Sequence, residues 1–355
     1  MQLEDSENQS TRVANDCLII CGDHEIQVSE GGEVDLHSHY ANCIKNPGHS
    51  QFIPIANLNL THLPEDYHDN DLLKLIKSTA DLTVRISVAK VSPRRPQFWP
   101  GKRLKYPFYE RRDSCLPRTG SGQMAVNKYI DGRGYNGLGS ELSVVSGHQL
   151  SRNYKKCPCE KCRHSDNPSK VWWEILISTA THVVFDDIEA GHTTCRLFYD
   201  DQNSPVVILD KVSIYIVNIK RDVCLLKHVT CDATLGTKLY KMMEQYYFLW
   251  ERVRDTYRDK SKLTFIVSHP HGCSKQVSVG QLEESFRVRE HNIKFDQTQM
   301  TYTTNTCPGS SGAKVHCLGS GTGHVHSGSL PSKLNYSSVG LYRTYERELN
   351  VLNPS

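Results

Sequence analysis

Eight residues late in the chain, Thr306-Cys307-Pro308-Gly309-Ser310-Ser311-Gly312-Ala313, set a serine between two glycines. Glycine on either side of a serine lets the backbone turn tightly without a Cβ clash. In such a turn the N–H groups of Gly309 and Ser311 can point into one small space, the arrangement that holds a developing oxyanion. A serine nucleophile also needs a base to take its proton and a carboxylate to orient that base. Taken alone the pattern is weak, because Gly/Ser turns are common. A second cluster is Cys157-Pro158-Cys159-Glu160-Lys161-Cys162-Arg163-His164. Cys157, Cys159, Cys162 and His164 have the donor types to wrap one structural zinc ion, although zinc sites usually split their ligands into two separated pairs. A reduced thiol loop is the other reading of the run.

These residues need elements to position them. From Leu82 the sequence LTVRISVAK alternates, placing Leu82, Val84, Ile86 and Val88 on one side of a strand. Further strand signals fall at 171–178, 194–199, 206–219, 263–268, 285–295, 299–304 and 313–318. Many short strands separated by Gly, Pro, Asn and Asp predict a mainly β chain, built as a sandwich or a pair of barrels. One amphipathic helix is expected over 237–260, where Leu239, Met242, Met243, Tyr246, Leu249, Trp250, Val253 and Tyr257 recur at helical spacing. A shorter helix is expected over 64–78, with Pro64 near its start and Leu72, Leu73, Leu75 and Ile76 on its apolar face. Residues 1–60 show no sustained period and read as a flexible or loosely packed extension.

Composition narrows the function classes. The 355 residues are 38% hydrophobic and 23% charged, with a net charge of +3, which is ordinary for a globular protein. That charge is too small to point to a nucleic-acid or membrane partner by itself. Residues 92–112, SPRRPQFWPGKRLKYPFYERR, interleave basic and aromatic side chains as single-strand binders do, but four prolines break the stretch. It reads as a long solvated loop whose aromatics tuck against the domain, with nucleic-acid binding as a rival role. No eighteen-residue apolar run is present, so no membrane span is expected. The start, MQLEDSENQS, lacks the basic and apolar regions of a secretory signal. With thirteen cysteines, an odd number, reduced thiols in the cytoplasm or nucleus are expected.

Two further segments give the glycine-flanked serine a context. Ser178-Thr179-Ala180-Thr181-His182 resembles the Thr-Ala-Ala-His segment of chymotrypsin-like serine proteases. Arg221-Asp222-Val223-Cys224-Leu225-Leu226 resembles their Asp-x-Ala-Leu-Leu segment. The order His, Asp, Ser and the spacing along the chain also match that family. The resemblance covers roughly 80–345. It implies two antiparallel β-barrels with the site between them, His182 and Asp222 from the first and Ser311 from the second. By it, Ser311 is the nucleophile, His182 the general base and then acid, Asp222 its orienting carboxylate, and the amides of Gly309 and Ser311 the oxyanion hole. The domains follow: an extension at 1–80, a protease domain at 81–345 and a tail at 346–355. Within the protease domain the first barrel spans about 81–230, the helical insertion 237–260 and the second barrel about 261–345.

The departures also matter. Val183 stands where secreted members carry a cysteine, Ser310 where they carry the aspartate that pairs with a newly cut N-terminus, and no Arg-Ile-Val-Gly-Gly signal appears near residue 80. Activation by that zymogen route is therefore not expected. Asn305, six residues before the nucleophile, argues against a trypsin-like preference for Lys or Arg. The Gly323-His324-Val325-His326 segment resembles that of glutamate- and glutamine-specific relatives, in which a histidine and a threonine bind the substrate side chain. Thr306 and His326 match those positions. The expected activity is serine endopeptidase action on a protein or peptide, with Gln or Glu before the cleaved bond and no cofactor required for catalysis. The alternative is an inactive binding or scaffold protein of the same fold. The oligomeric state is not legible.

Overall fold

A computed structural model of the chain describes residues 18–142, 154–258, 261–292, 295–318 and 321–343. The tail expected at 346–355 and the first seventeen residues of the extension lie outside them. Two antiparallel sheets make up the body, in agreement with the mainly β, two-barrel expectation.

The first sheet has nine strands among the described residues. Its spatial order is Ser213–Asn218, Val223–Thr230, Val171–Thr179, Arg118–Ile130, Thr83–Val88, Thr193–Leu197 and Val207–Leu209. Val84, Ile86 and Val88 are buried on one side of their strand, as the alternation predicts, while Leu82 closes the preceding helix. The region expected as one strand over 206–219 is two, because the chain turns at Lys211 with a positive φ of 51°. The central strand Arg118–Ile130 was not anticipated. Its Arg-Thr-Gly-Ser-Gly opening reads as a turn, yet a Cβ on Gly120 would lie 2.8 Å from Val183 and 3.0 Å from the Ser311 carbonyl oxygen. Small residues are needed there because the Ser311 loop packs directly against the strand, with Ser121 N–H donating to the Ser311 carbonyl at 2.8 Å.

The second sheet has ten strands in its described part. Its main path runs Asp23–His24, His326–Ser329, Asn335–Ser337, Phe295–Tyr302, Gln276–Asn292, Leu263–Ser268 and Val315–Cys317. Between the two sheets in sequence lies the helix Ala233–Thr256. It starts earlier than its hydrophobic pattern suggests because the Asp232 carboxylate caps it, accepting from the N–H groups of Thr234 and Leu235. Leu239, Met243, Tyr246, Leu249 and Val253 are buried on the inner face of this helix, which packs on the helix Asn70–Leu82. The latter helix begins later than expected, capped by Asp69 after a separate turn at Glu65–Tyr67. No helix among the described residues is long and apolar enough to cross a membrane.

One expectation is corrected. The described part of the extension is packed: Leu18, Leu36, Phe52 and Leu58 are buried, and the helix Glu33–Ala41 ties to the first sheet through a Glu33–Arg85 ion pair. The basic, aromatic stretch is mostly an exposed loop with Trp99 and Tyr106 tucked against the domain, as expected. Trp99 and Tyr106 are buried against Phe185 and Leu18. Arg95 is fully buried and, with Arg118, flanks the carboxylate of Glu189. Glu189 accepts from Arg95 at 2.7 and 2.8 Å, from Arg118 at 2.6 Å, and from the N–H groups of Ser92 and Phe185 at 2.9 Å each. The same guanidinium groups donate to the carbonyls of His182 and Val183. The cluster thus clamps the chain just after His182, and its side chains do not face outward toward a nucleic acid.

Burial raises the pKa of Glu189, but its hydrogen bonds and the charge of Arg95 outweigh this and keep it below the usual carboxylate range. Removing that charge leaves two buried guanidinium groups without their counter-ion. Glu189→Gln is expected to lose about 3–5 kcal/mol of stability, read from the urea unfolding midpoint. A loss below about 1 kcal/mol would contradict the structural role given to this cluster.

Candidate active site

The Ser311 turn is shaped by its glycines. Gly309 has φ 95° and Gly312 φ 86°, in the region closed to most side chains. Space forbids a Cβ as well: one on Gly309 would lie 2.5 Å from the His269 carbonyl oxygen, and one on Gly312 would lie 2.1 Å from Thr179 Oγ1. Ser310 ties the turn down, its Oγ accepting from the Cys307 N–H and lying 3.1 Å from Ser268 Oγ. A neutral hydroxyl network therefore holds the position where the secreted proteases that the sequence resembles carry their activating aspartate.

His182 follows the strand Val171–Thr179 and is fully buried. Its Nδ1 lies 2.8 Å from Asp222 Oδ2, which fixes Nδ1 as the protonated nitrogen and leaves the lone pair on Nε2. That Nε2 is buried and makes no hydrogen bond. Asp222 sits in the left-handed conformation, φ 57° and ψ 46°, at the end of a short turn. Its carboxylate also accepts from Thr181 Oγ1 at 2.8 Å, the His182 N–H at 3.1 Å and Ser327 Oγ at 2.6 Å. Burial raises its pKa, but the charge and hydrogen bond of His182, with help from His24 and Ser327, bring it down to about 2.

Ser311 comes from the second sheet's side and makes no hydrogen bond to His182 Nε2; the chain's own residues 22–28 lie over it. The Glu25 carbonyl oxygen accepts from Gly309 N–H at 2.7 Å and from Ser311 N–H at 3.2 Å. Ser311 Oγ accepts the Glu25 N–H at 3.1 Å. The two amides singled out in the sequence thus converge on one oxygen. His24 lies over His182, ring centroids 4.3 Å apart. Burial and the neighbouring His182 push its pKa down to about 3.

The Glu25 side chain enters a closed polar pocket. Its Oε2 lies 2.7 Å from His326 Nε2, and its Oε1 pairs with Lys45 Nζ. Lys45 also donates to Thr306 Oγ1 at 3.1 Å and Asn335 Oδ1 at 2.9 Å, and His326 Nδ1 lies 2.7 Å from the Tyr302 hydroxyl. Burial raises the pKa of Glu25, but the His326 hydrogen bond and the Lys45 charge outweigh it and hold it at about 2. Thr306 and His326 are thus brought together in one pocket, whereas Asn305 is half-buried and its carbonyl accepts from Ser278 Oγ at 2.7 Å. Lys45, Asn335 and Ser327 were missed by sequence reasoning. Lys45 belongs to the extension, and no local pattern marks the other two.

In the cysteine run, Cys157, Cys159 and Cys162 bring their thiols within 4.8 Å of one another. His164 is exposed and is not in the cluster. The fourth group is Cys231, whose thiol hydrogen-bonds with those of Cys159 and Cys162. A lone cysteine 69 residues past Cys162 carries no spacing signal, so only the fold could supply it.

No family model and no curated protein matches this chain. Among solved structures it is similar to the Rv3671c protease in its inactive form, at 11% identity over 76% of this chain and 90% of that one, with a TM-score of 0.34. The active form of that protease from M. tuberculosis is similar at 12% identity over 76% and 82%, TM-score 0.33. The HtrA-type protease AlgW with tripeptide is similar at 10% identity, TM-score 0.35; 78% of this chain covers 61% of that one.

The low pKa of Asp222 makes a stability prediction. Its folded value lies below the ordinary 3.8, so its contribution is fully present above pH 3.8 and lost as the pH falls through about 2. The stability gap between wild type and Asp222→Asn should therefore shrink by about 2 kcal/mol between pH 6 and pH 1.5, measured by denaturant unfolding. A gap that does not change with pH would mean the carboxylate is not held charged in the folded chain.

Proposed function

We propose that the chain is a serine endopeptidase that hydrolyses peptide bonds through an acyl-enzyme on Ser311. The observation that carries this reading is the convergence of the Gly309 and Ser311 N–H groups on a single carbonyl oxygen, 2.7 and 3.2 Å away. Donors set at that position stabilise the negative charge that grows on the oxygen as a nucleophile adds to the carbonyl carbon. His182 takes the Ser311 proton on Nε2 and later gives it to the leaving amine. Asp222 keeps the proton on Nδ1 and offsets the imidazolium charge that forms in between. No step requires a metal or organic cofactor. The substrate class is protein or peptide, bound as an added strand to the edges on either side of the cleft.

The pocket favours glutamate before the scissile bond. His326 and Lys45 offer two cationic or donor groups to one carboxylate, and Thr306 and Asn335 hold Lys45 in place. Glutamine keeps the shape and one acceptor but loses the ion pair. Lysine or arginine would bring a third positive group into a buried site. The reading also retains a structural zinc ion beside the strand that leads to His182. Cys157, Cys159 and Cys162 would hold it, with Cys231 as fourth ligand in place of His164.

A fluorophosphonate probe is expected to label Ser311 in the wild type and to fail in Ser311→Ala and His182→Ala. In a peptide library, cleavage after Glu should exceed cleavage after Gln by about 10-fold and after Lys by at least about 100-fold. Absence of labelling together with absence of cleavage would leave a binding protein of the same fold. Labelling with a preference for Lys or Leu would overturn the pocket assignment alone.

A further inference from the structure

Residues 22–28 lie in the cleft as a substrate would. Asp23 and His24 pair antiparallel with Ser329 and Gly328 of the second sheet. Gln27 and Val28 pair antiparallel with Thr119 and Arg118 of the first. The two residues between these pairings, Glu25 and Ile26, are the ones set at Ser311. The approach on the upstream side is close: a Cβ on Gly328 would lie 1.9 Å from the Asp23 carbonyl oxygen. The Glu25 carbonyl fills the oxyanion site, and its carboxylate lies between Lys45 and His326. Ser311 and His182 are fully buried beneath the segment, so no other peptide can reach them while it stays.

We infer that this segment is the chain's own first substrate and that Ser311 cuts the Glu25–Ile26 bond in cis. The inference rests on the endopeptidase reading above. Ser311 Oγ adds to the Glu25 carbonyl carbon as its proton passes to His182 Nε2. The C–N bond to Ile26 then breaks, and Ile26 leaves as an amine carrying that proton. Water hydrolyses the Glu25 ester, which frees the Glu25 carboxylate and restores Ser311. The tether supplies the substrate at high effective concentration, so the rate does not depend on protein concentration.

Mass spectrometry of the purified full chain is expected to find a fragment that begins at Ile26. The same mass should be absent from Ser311→Ala, and added wild type should leave intact Ser311→Ala chains uncut. Glu25→Lys should slow self-cleavage at least about 100-fold while keeping fluorophosphonate labelling, because the cationic side chain no longer fits between Lys45 and His326. A Glu25→Lys chain that is labelled, beside a wild-type chain that stays intact, would overturn self-cleavage and leave the endopeptidase standing. Loss of labelling in Glu25→Lys, whose side chain no longer holds the segment in the cleft, would overturn the endopeptidase itself. Cutting whose rate rises with concentration would overturn the intramolecular route.

A separate observation carries a second site. Cys43, His49, His271 and Cys307 are all buried, and their four donor atoms lie within 4.8 Å of one another. Cys43 Sγ is 3.6 Å from Cys307 Sγ, which is 3.5 Å from His49 Nε2. Four ligands around zinc at roughly 2.3 Å for sulfur place two sulfurs ~3.8 Å apart, close to this spacing. His271 Nε2 is buried without a partner, while its Nδ1 is oriented by Gln27 Oε1 at 2.8 Å. Asn46 donates to both sulfurs, from its backbone N–H to Cys43 and from its side chain to Cys307, as groups around metal-bound thiolates do. The geometry points to a closed structural zinc site that staples residues 43–49 to the nucleophile turn. Elemental analysis of freshly reduced protein should find one zinc equivalent that survives Cys157→Ser with Cys159→Ser and disappears with Cys43→Ser. Zinc content indifferent to Cys43→Ser, or a Cys43–Cys307 disulfide in the native mass, would overturn it.

Discussion

The carboxylate of Asp222 is the constraint on which the rest of the site depends. It is buried, it sits in a backbone conformation that a non-glycine residue adopts only under outside compulsion, and it accepts four hydrogen bonds. Three come from Thr181 and His182 on the first sheet, and the fourth comes from Ser327 on the second. A buried charge demands such compensation, since each missing donor would leave part of its desolvation unpaid. Satisfying Asp222 therefore requires both sheets to be docked, and docking them brings His182 to the edge of the Ser311 turn. The Glu189 cluster meets the same demand one layer down, with two arginines from distant segments joined on a single carboxylate.

The sequence exposed the parts of the site that are local. The glycine-flanked serine, the histidine at the end of an apolar strand and the aspartate opening another all carry their signal within a few residues. What stayed hidden depends on contacts between distant segments. Arg118–Ile130 was obscured because its glycines answer to Val183 and the Ser311 loop rather than to a turn. Residues 18–60 have no period of their own, because their order comes from pairing with two different sheets in pieces of two residues and from buried cysteines and histidines. His164 looked like a ligand by adjacency, whereas Cys231 meets the thiols from another strand's end. Arg95 carried no local sign that it would turn inward, because its partner Glu189 lies 94 residues along the chain.

The extension thereby changes the meaning of the cleft. A protease pocket is usually read from its walls, but here one wall, Lys45, belongs to the same segment that supplies the occupant. Lys45 reaches Glu25 from twenty residues downstream while bonded to Thr306 and Asn335. Its position is fixed by the packing of residues 43–49 on the nucleophile turn, where Asn46 donates to the Thr306 carbonyl at 2.9 Å. The polar contacts to the Glu25 side chain are thus contributed partly by the extension and partly by the second sheet.

This arrangement makes the two sides of the Glu25–Ile26 bond unequal. Downstream of it, the chain is held by the pairing of Gln27 and Val28, by the helix Glu33–Ala41 with its Glu33–Arg85 ion pair, and by the buried Cys43 and His49. Upstream, the chain is held by a two-residue strand pairing, the His24 ring tilted over His182, the Glu25 backbone and side chain, and the buried Leu18 with the Ile20–Gln299 bonds. Contacts that survive cutting on one side and are severed from their tether on the other give the fragments different lifetimes on the protein. The downstream piece stays as part of the fold and keeps Lys45 in the pocket. On the inferred cut, the upstream piece would lose its tether yet keep the buried Leu18, the Ile20–Gln299 bonds and the cleft contacts, so its release would be set by all of these together.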